Sequence, residues 1–369
     1  MKLLIQPGDG IGPLLKGIDG AKSSVEITIF RLDRTEIERA LASAVKRGVF
    51  VHALIANTNR TGQAALRRLE LRLLAAGATV ARTADDLIRY HDKVMIIDRR
   101  VLYLLAFNFT YLDIESSRSF GIITSNAALV REAGKLFEAD TRRHPYEAGS
   151  PAFLVSPINA RRQLSAFLEG ARKELLIYDP TVSDPGMIRL LEQRAEAGVQ
   201  VKILGRLTRK SSKLSAHKMP QIRLHARSII RDGTQVFIGS QSLRELELDQ
   251  RREVGIVVKD PQIATRLVKI FEEDWTLAEQ TKHSAAKEEN APTERVAKRV
   301  AKAVAKQLPP VAPVLDEIIK EMGRDQPEVD LSVQEVEESV KDAVRTAVKE
   351  AVKDALEDSA AEEMVHEGA

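Results

Sequence analysis

Cysteine is absent from the 369 residues. That rules out disulfides and thiolate metal sites and fits a reducing compartment. Aromatic residues make up only 4% of the chain, with a single tryptophan, so the stacking platforms that bind single-stranded nucleic acid are poorly supplied. Long apolar runs are also missing. None approaches the roughly 20 residues that cross a bilayer, and residues 1–12 are broken by Pro7, Gly8 and Gly10, unlike a secretory leader. The expectation is a cytoplasmic chain whose contact with any membrane is peripheral.

What is present is an ordinary balance, 44% hydrophobic and 30% charged, in a chain long enough for about two domains with sizeable cores. The net charge of +3 conceals a division. Residues 281–369 carry 13 Lys+Arg against 20 Asp+Glu, a net of −7, which leaves +10 on residues 1–280. A basic front suits an anionic partner, either phospholipid headgroups at a membrane surface or nucleic acid. The plainer alternative is that these residues only solubilise the surface.

Along the chain, residues 25–30 alternate as a β-branched strand. Thr35 is placed to cap a helix with Ile37, Leu41, Ala44 and Val45 at helical spacing; Gly48 ends it, and residues 49–55 form the next strand. A second helix spans 62–76, and strands follow over 94–97 and 101–107. The plan then repeats. Ala21 and Lys22 return as Ala171 and Arg172, and residues 47–51 as 197–201, both 150 residues later. Each copy alternates strands with helices, which implies an α/β fold of two related lobes, with mixed sheets flanked by helices. The expected divisions are a first lobe over 1–147, a second over 148–280 and a charged helical tail over 281–369. The first boundary falls in a stretch containing Pro145, Gly149 and Pro151. Residues 282–293 look like a linker. Valine stripes then suggest helices over 294–308 and 332–357, which pack on a partner, on a second copy or on the lobes, with the basic first segment suited to an anionic membrane surface, or else form a solvated or partly disordered tail.

The sharpest signal is a spacing that occurs twice. His91, Lys93 and Asp98 stand as H-x-K-x4-D, and His225, Arg227 and Asp232 repeat those intervals 134 residues later. The offset is shorter here because the second copy lacks the helix of 62–76. A histidine and a cation two apart on a strand face the same way. Imidazole serves as nucleophile or as general acid and base near neutral pH, and Lys93 and Arg227 supply donors for the non-bridging oxygens of a phosphate. Two such strands face to face would bracket one phosphorus atom, one histidine forming a phosphohistidine and the other handling the proton of the leaving oxygen. The two cations neutralise the developing charge, so this reading includes no metal or other cofactor.

Other candidates are plainer. His52 reads as a packed or edge histidine and His144 as loop surface. Arg206, Arg209, Lys210, Lys213, His217, Lys218 and Arg223 form a basic run before the second motif, either a solvated loop or a rim that gathers an anionic substrate. Gly8, Gly10 and Gly12 read as a turn into the first helix, since no lysine follows in Walker spacing.

On the two motifs the chain resembles the phospholipase D superfamily, whose pattern H-x-K-x4-D-x6-G-S-x-N occurs once per lobe. The resemblance covers about residues 1–280. It implies two pseudo-twofold related lobes with the active site between them, and an activity among phospholipases, cardiolipin synthases and other phosphatidyltransferases, nucleases and tyrosyl-DNA phosphodiesterases. Gly239 and Ser240 match the Gly-Ser of the second copy, with Ser242 in place of its Asn; Asn108 matches the Asn of the first copy, where Leu105 and Ala106 replace Gly-Ser. Asn108, Ser240 and Ser242 are thereby implied phosphate-binding residues. Glu253, 28 residues after His225, matches the carboxylate that holds an imidazole, whereas Ser119 stands 28 residues after His91. The resemblance therefore implies that Glu253 orients His225 as the better-held imidazole. It leaves the nucleophile open between His91 and His225, and gives Asp98 and Asp232 a supporting role. A cardiolipin synthase-like phosphodiesterase or phosphatidyltransferase acting on phospholipids is the leading expectation. A nuclease is the second, and a catalytically reduced lobe pair that binds a phosphorylated ligand or scaffolds partners is the third.

Overall fold

The computed structural model describes residues 1–57, 63–209 and 211–289, with Val344, Ala347 and Val348 as isolated helical positions further on. Residues 1–57 and 66–278 belong to one compact unit that contains both copies of the repeat. The first copy runs β1 (Lys2–Gln6), α1 (Gly12–Gly20), β2 (Ser24–Ile29), α2 (Thr35–Lys46), β3 (Phe50–Ile55), α3 (Gln63–Ala75), β4 (Thr79–Arg82), β5 (Arg89–Tyr90), β6 (Val94–Ile97), β7 (Val101–Leu105), α4 (Tyr111–Glu115), β8 (Ser117–Thr124) and α5 (Ala127–Arg142). The second runs β9 (Phe153–Val155), α6 (Ala160–Glu169), β10 (Glu174–Val182), α7 (Pro185–Glu196), β11 (Gln200–Leu207), β12 (Ser215–His217), β13 (Arg223–Leu224), β14 (Ser228–Arg231), β15 (Gln235–Gly239), α8 (Glu245–Asp249), β16 (Arg251–Arg252), β17 (Val254–Val258) and α9 (Pro261–Glu289).

Each copy builds a mixed sheet on one plan. The first has the order β1-β8-β7-β6-β2-β3-β4, and the second, in matching sense, β9-β17-β15-β14-β10-β11-β12. In both, one half of the sheet is parallel (β2-β3-β4 and β10-β11-β12) and the hairpin strands beside it are antiparallel. Side chains alternate across each strand, and the two faces go to different cores. Val94 and Ile96 of β6 and Leu102 and Leu104 of β7 enter a central core with Val236 and Ile238 of β15, Phe271 and Trp275 of α9 and Phe137 of α5. Met95, Ile97, Tyr103 and Leu105 turn the other way, under α1, α2 and α3. Phe237 and Ile229 do likewise under α6 and α7. The result is two mixed sheets flanked by helices, with α5 and α9 in the central core. The second copy passes from β11 to β12 without a helix, where its sequence is shorter.

Two local expectations need correction. Helix α2 begins at Thr35 itself; Arg34 occupies the N-cap and no side chain caps the helix. Arg34 instead pairs with Glu36 (2.9 Å) and Glu115 (2.7 Å), joining α2 to α4. Residues 282–289 continue α9 as helix, where polar composition suggested a linker; Ala, Lys and Glu are strong helix formers that need no apolar face. The tail helices expected over 294–308 and 332–357 lie outside the described residues, apart from the three isolated positions in the second. Among the described residues, no helix is long and apolar enough to cross a membrane.

Candidate active site

Each motif sits where the chain changes neighbours. Strand β5 pairs in parallel with β16 of the other copy, Arg89 beside Arg251 and Tyr90 beside Arg252, and the His91 amide donates to the Arg252 carbonyl (2.8 Å). After Lys93 the chain rejoins its own sheet as β6. The second copy reciprocates. Strand β13 pairs with β8, and the His225 amide donates to the Arg118 carbonyl (3.0 Å). The strand expected to carry each motif is therefore interrupted at the histidine.

These crossings are clasped by ion pairs related by the repeat. Arg252 reaches Asp140 on α5 (3.0 Å), and Arg118 grips Asp274 on α9 through two bonds of 2.9 Å, with the Tyr178 hydroxyl donating to the same carboxylate (2.7 Å). Asp92, beside His91, also faces Arg252; burial pushes both carboxyls up, Asp140 to about 7. Arg252→Ala strands two buried carboxyls, and the expected loss is about 3 kcal/mol of stability in urea unfolding. A loss below about 1 kcal/mol would mean that the clasp does not hold the copies together.

The carboxylate of the second copy serves the histidine of the first. Glu253, fully buried, accepts from His91 Nδ1 at 2.9 and 3.0 Å. This corrects the expected pairing of Glu253 with His225. The cause is the crossing: Glu253 follows Arg252, whose carbonyl binds the His91 amide. Phe30 meets the His91 ring edge-on (4.6 Å). Burial, with Lys93, Arg227 and Arg251 nearby, holds the His91 pKa well below its usual value. Glu253 is pushed up by burial against the pull of Lys93 and Arg227. Ser240, expected to bind phosphate, is also fully buried; its hydroxyl bonds the Val254 backbone and Glu253. It supports the carboxylate and does not line an open site.

Lys93 and Arg227 occupy matching places. Lys93 Nζ donates to the His91 carbonyl and Arg227 Nη1 to the His225 carbonyl (3.1 Å), which turns both cations back toward the histidines. Burial lowers the Lys93 pKa to about 7. Arg227 also donates to Ser242 Oγ (3.1 Å). Asn108 and Ser242 each offer a backbone amide to an acid five residues on, Asp113 (2.8 Å) and Glu247 (2.7 Å). The Asn108 side chain also donates to Asp113 (2.8 Å), and its Oδ1 is buried with no partner.

Asp113 and Glu247 belong to no recognised motif, and their only sequence signal is that they share the 134-residue offset of the motifs. Asp113 lies 3.3 Å from His225 Nε2 without hydrogen-bond alignment, and accepts from Arg223 (2.7 Å). Burial acts against it, yet His225 and Arg223 hold the Asp113 carboxyl well below the usual range. Arg223 Nη2 stands 3.2 Å from His225 Nδ1. Burial keeps the His225 pKa far down despite Asp113.

Asp98 and Asp232 sit away from these groups, in left-handed backbone (φ 54° and 52°) that Asp tolerates better than most residues. Asp98 accepts from the amides of Lys22, Ser23 and Ser24 (2.7–3.0 Å), and Asp232 from those of Arg172, Lys173 and Glu174 (2.7–3.1 Å). Burial opposes this, but the amides hold Asp98 down at about 2. Each holds the start of a strand of its own sheet, β2 and β10. Within the basic run, Arg209 and Lys213 pair with Glu192 and Glu196 of α7, His217 packs edge-on against Trp275 (4.4 Å), and Arg206 and Lys218 are exposed; Lys210 is outside the described residues. His52 is half-buried between Phe50 and Phe137, and His144 is exposed. Gly10 bonds the Gln6 side chain at the turn into α1 (2.9 Å).

What assembles is two neutral imidazoles beside two cations, with buried carboxylates behind them: a site able to hold a phosphate and attack it. The comparisons agree in kind. Residues 14–141 and 164–275 match the protein family described as "Cardiolipin synthase, PLD-like domain". The chain is 25% identical over 307 residues to a polyphosphate kinase of Pseudomonas syringae pv. tomato, covering 73% of this chain and 41% of the relative. It is 31% identical over 130 residues to a mitochondrial cardiolipin hydrolase of Danio rerio, covering 34% of this chain and 56% of the relative. The chain thus spans about half the length of these curated relatives. Among solved structures it is similar to a polyphosphate kinase from Porphyromonas gingivalis, with a TM-score of 0.63 at 21% identity, over 73% of this chain and 46% of that one. The family match follows both copies and takes in both motifs, and this chain therefore belongs to the phospholipase D superfamily.

Proposed function

We propose that this chain breaks and forms bonds at phosphorus through a phosphohistidine on His91, and that the group it transfers or hydrolyses is the phosphatidyl group of a phospholipid. The observation that carries this reading is the bond from His91 Nδ1 to Glu253 (2.9 Å). A carboxylate at Nδ1 fixes the proton there, orients the ring and leaves the Nε2 lone pair free to attack. Lys93 and Arg227 supply charge for the non-bridging oxygens. The phosphatidyl assignment is supported by the family description and by the cardiolipin hydrolase relative. A second reading, transfer of a phosphoryl group of polyphosphate, is favoured by the polyphosphate kinase that matches 73% of the chain.

The test is turnover by the purified chain on anionic phospholipid vesicles, on inorganic polyphosphate and on plasmid DNA. Release of the phosphatidyl group from vesicles that include CDP-diacylglycerol is expected. DNA nicking alone would make the protein a nuclease. Binding without turnover on any of the three would leave it a catalytically reduced relative.

Lys93 sets a pH dependence. With its pKa lowered to about 7 by burial, it is charged below that value and loses its proton as pH rises through it. Above about pH 7, kcat/KM is expected to fall about tenfold per unit. The acid limb lies well under the usual histidine value, because burial keeps His91 unprotonated there. A flat profile between pH 6 and about 9 would remove Lys93 from the charge stabilisation.

A further inference from the structure

The two histidines are held in opposite ways. His91 gives its Nδ1 proton to Glu253. His225 Nδ1 faces Arg223 Nη2 at 3.2 Å. A guanidinium only donates, so His225 Nδ1 is an acceptor there and the ring carries its proton on Nε2. The difference originates in the sequence. Ser119 stands at the repeat position of Glu253, and Ala106 at that of Ser240. Carboxylate and supporting hydroxyl are thus lost together, and the Ser119 hydroxyl is buried without a partner. Arg223 stands at Nδ1 of its ring, where Glu253 stands in the first copy, anchored on Asp113 (2.7 Å) and Ser117 (3.0 Å). Its repeat equivalent, Arg89, lies over the Phe30 ring instead (5.0 Å).

A second proton on Nδ1 of His225 would point at this guanidinium, with Arg227 and Lys93 also bearing on the ring; Asp113 is the anion that opposes them, at Nε2. We propose that His225 acts as a neutral imidazole that donates a hydrogen bond through Nε2, not as a proton donor, and that the site therefore acts on phosphoanhydrides rather than on alkyl phosphodiesters. This rests on the phosphohistidine reading of the same site and narrows its substrate class.

The chemistry follows from what leaves. An alkoxide departs slowly unless it is protonated as the bond breaks, and a positioned acid typically contributes about 10²–10⁴-fold. A neutral imidazole that surrendered its Nε2 proton would become an imidazolate, which is far too basic near pH 7. A phosphate leaves as a stable anion. His91 Nε2 forms a bond to phosphorus, the bridging P–O bond breaks, its electron pair stays on the departing phosphate, and no proton moves. Attack on the phosphohistidine by a phosphate oxygen returns the N–P pair to Nε2, again without proton transfer. A lipid-linked nucleoside diphosphate and inorganic polyphosphate share this chemistry.

The experiment compares the rate of His91 phosphoadduct formation by the full chain with vesicles of CDP-diacylglycerol, with inorganic polyphosphate, and with vesicles of phosphatidylglycerol, quenched in alkaline denaturant. One of the two anhydride donors is expected to react at least about 100-fold faster than phosphatidylglycerol, and which one does so identifies the source. Phosphatidylglycerol reacting as fast or faster overturns the inference and leaves the phosphohistidine reading standing. No adduct with any donor sinks both. Nitrogen-15 NMR of the free chain reports independently of turnover: His225 is expected as the neutral Nε2–H form at pH 7 and His91 as the Nδ1–H form. A protonated or Nδ1–H His225 overturns the inference. Ser119→Glu restores a carboxylate behind the ring and is expected to shrink the anhydride preference about tenfold or more; an unchanged preference counts against the inference.

Discussion

Glu253→Gln is expected to lower kcat by about 10³–10⁴-fold while leaving the unfolding midpoint within about 1 kcal/mol of the parent. The amide keeps the shape of the carboxyl, so the buried space beside Ser240 stays filled. What changes is the partner offered to His91 Nδ1. A carboxylate can only accept, and its 2.9 Å contact keeps the imidazole proton on Nδ1. A glutamine amide can turn its NH₂ to the ring, which moves the proton to Nε2 and occupies the lone pair that attacks phosphorus. The removed negative charge also leaves Lys93, Arg227 and Arg251 less well balanced around the ring. A variant that keeps its rate within about tenfold would show that the carboxylate does not govern the chemistry.

His91→Ala is expected to cost still more, about 10⁴-fold or beyond, with no adduct detectable. His225→Ala is expected to cost about 10²-fold on a phosphoanhydride donor, with the adduct still forming slowly, because there only a hydrogen bond to phosphate oxygen is removed. The unequal response follows from the unequal surroundings: one ring is backed by a buried carboxylate, the other faces a guanidinium. Equal losses in the two variants, with no adduct in either, would contradict the division of roles.

Much of the architecture was legible because the core obeys simple periodicities. The apolar runs 94–97 and 101–107 mark strands that are buried on both faces, as the central and outer cores show, and the 150-residue offset marks the duplication. The pairing across copies was not legible. It depends on strands β5, β13 and β16, each two residues long, too short for a periodic signal. Yet these decide that Glu253 faces His91 and not the histidine of its own copy. The clasps Arg118–Asp274 and Arg252–Asp140 were available as residue identities at the 134-residue offset, but charged residues carry no sign in sequence that they are to be buried. The basic run before the second motif read as a possible rim because Glu192 and Glu196, which pair with Arg209 and Lys213, lie on the preceding helix. Asp113 and Glu247 carry no motif of their own, and their role comes only from the cations and His225 that the fold brings to them.

The most direct measurement is the position of the phosphorus atom in the trapped intermediate. The chain is mixed with donor, quenched in alkaline denaturant, digested, and fragmented under conditions that preserve P–N bonds. A phosphoryl or phosphatidyl group on His91, absent from His225 and lost in Glu253→Gln, is the expected result. The same group on His225, or an unlabelled His91 while substrate is consumed, would contradict a first-copy nucleophile held by a second-copy carboxylate.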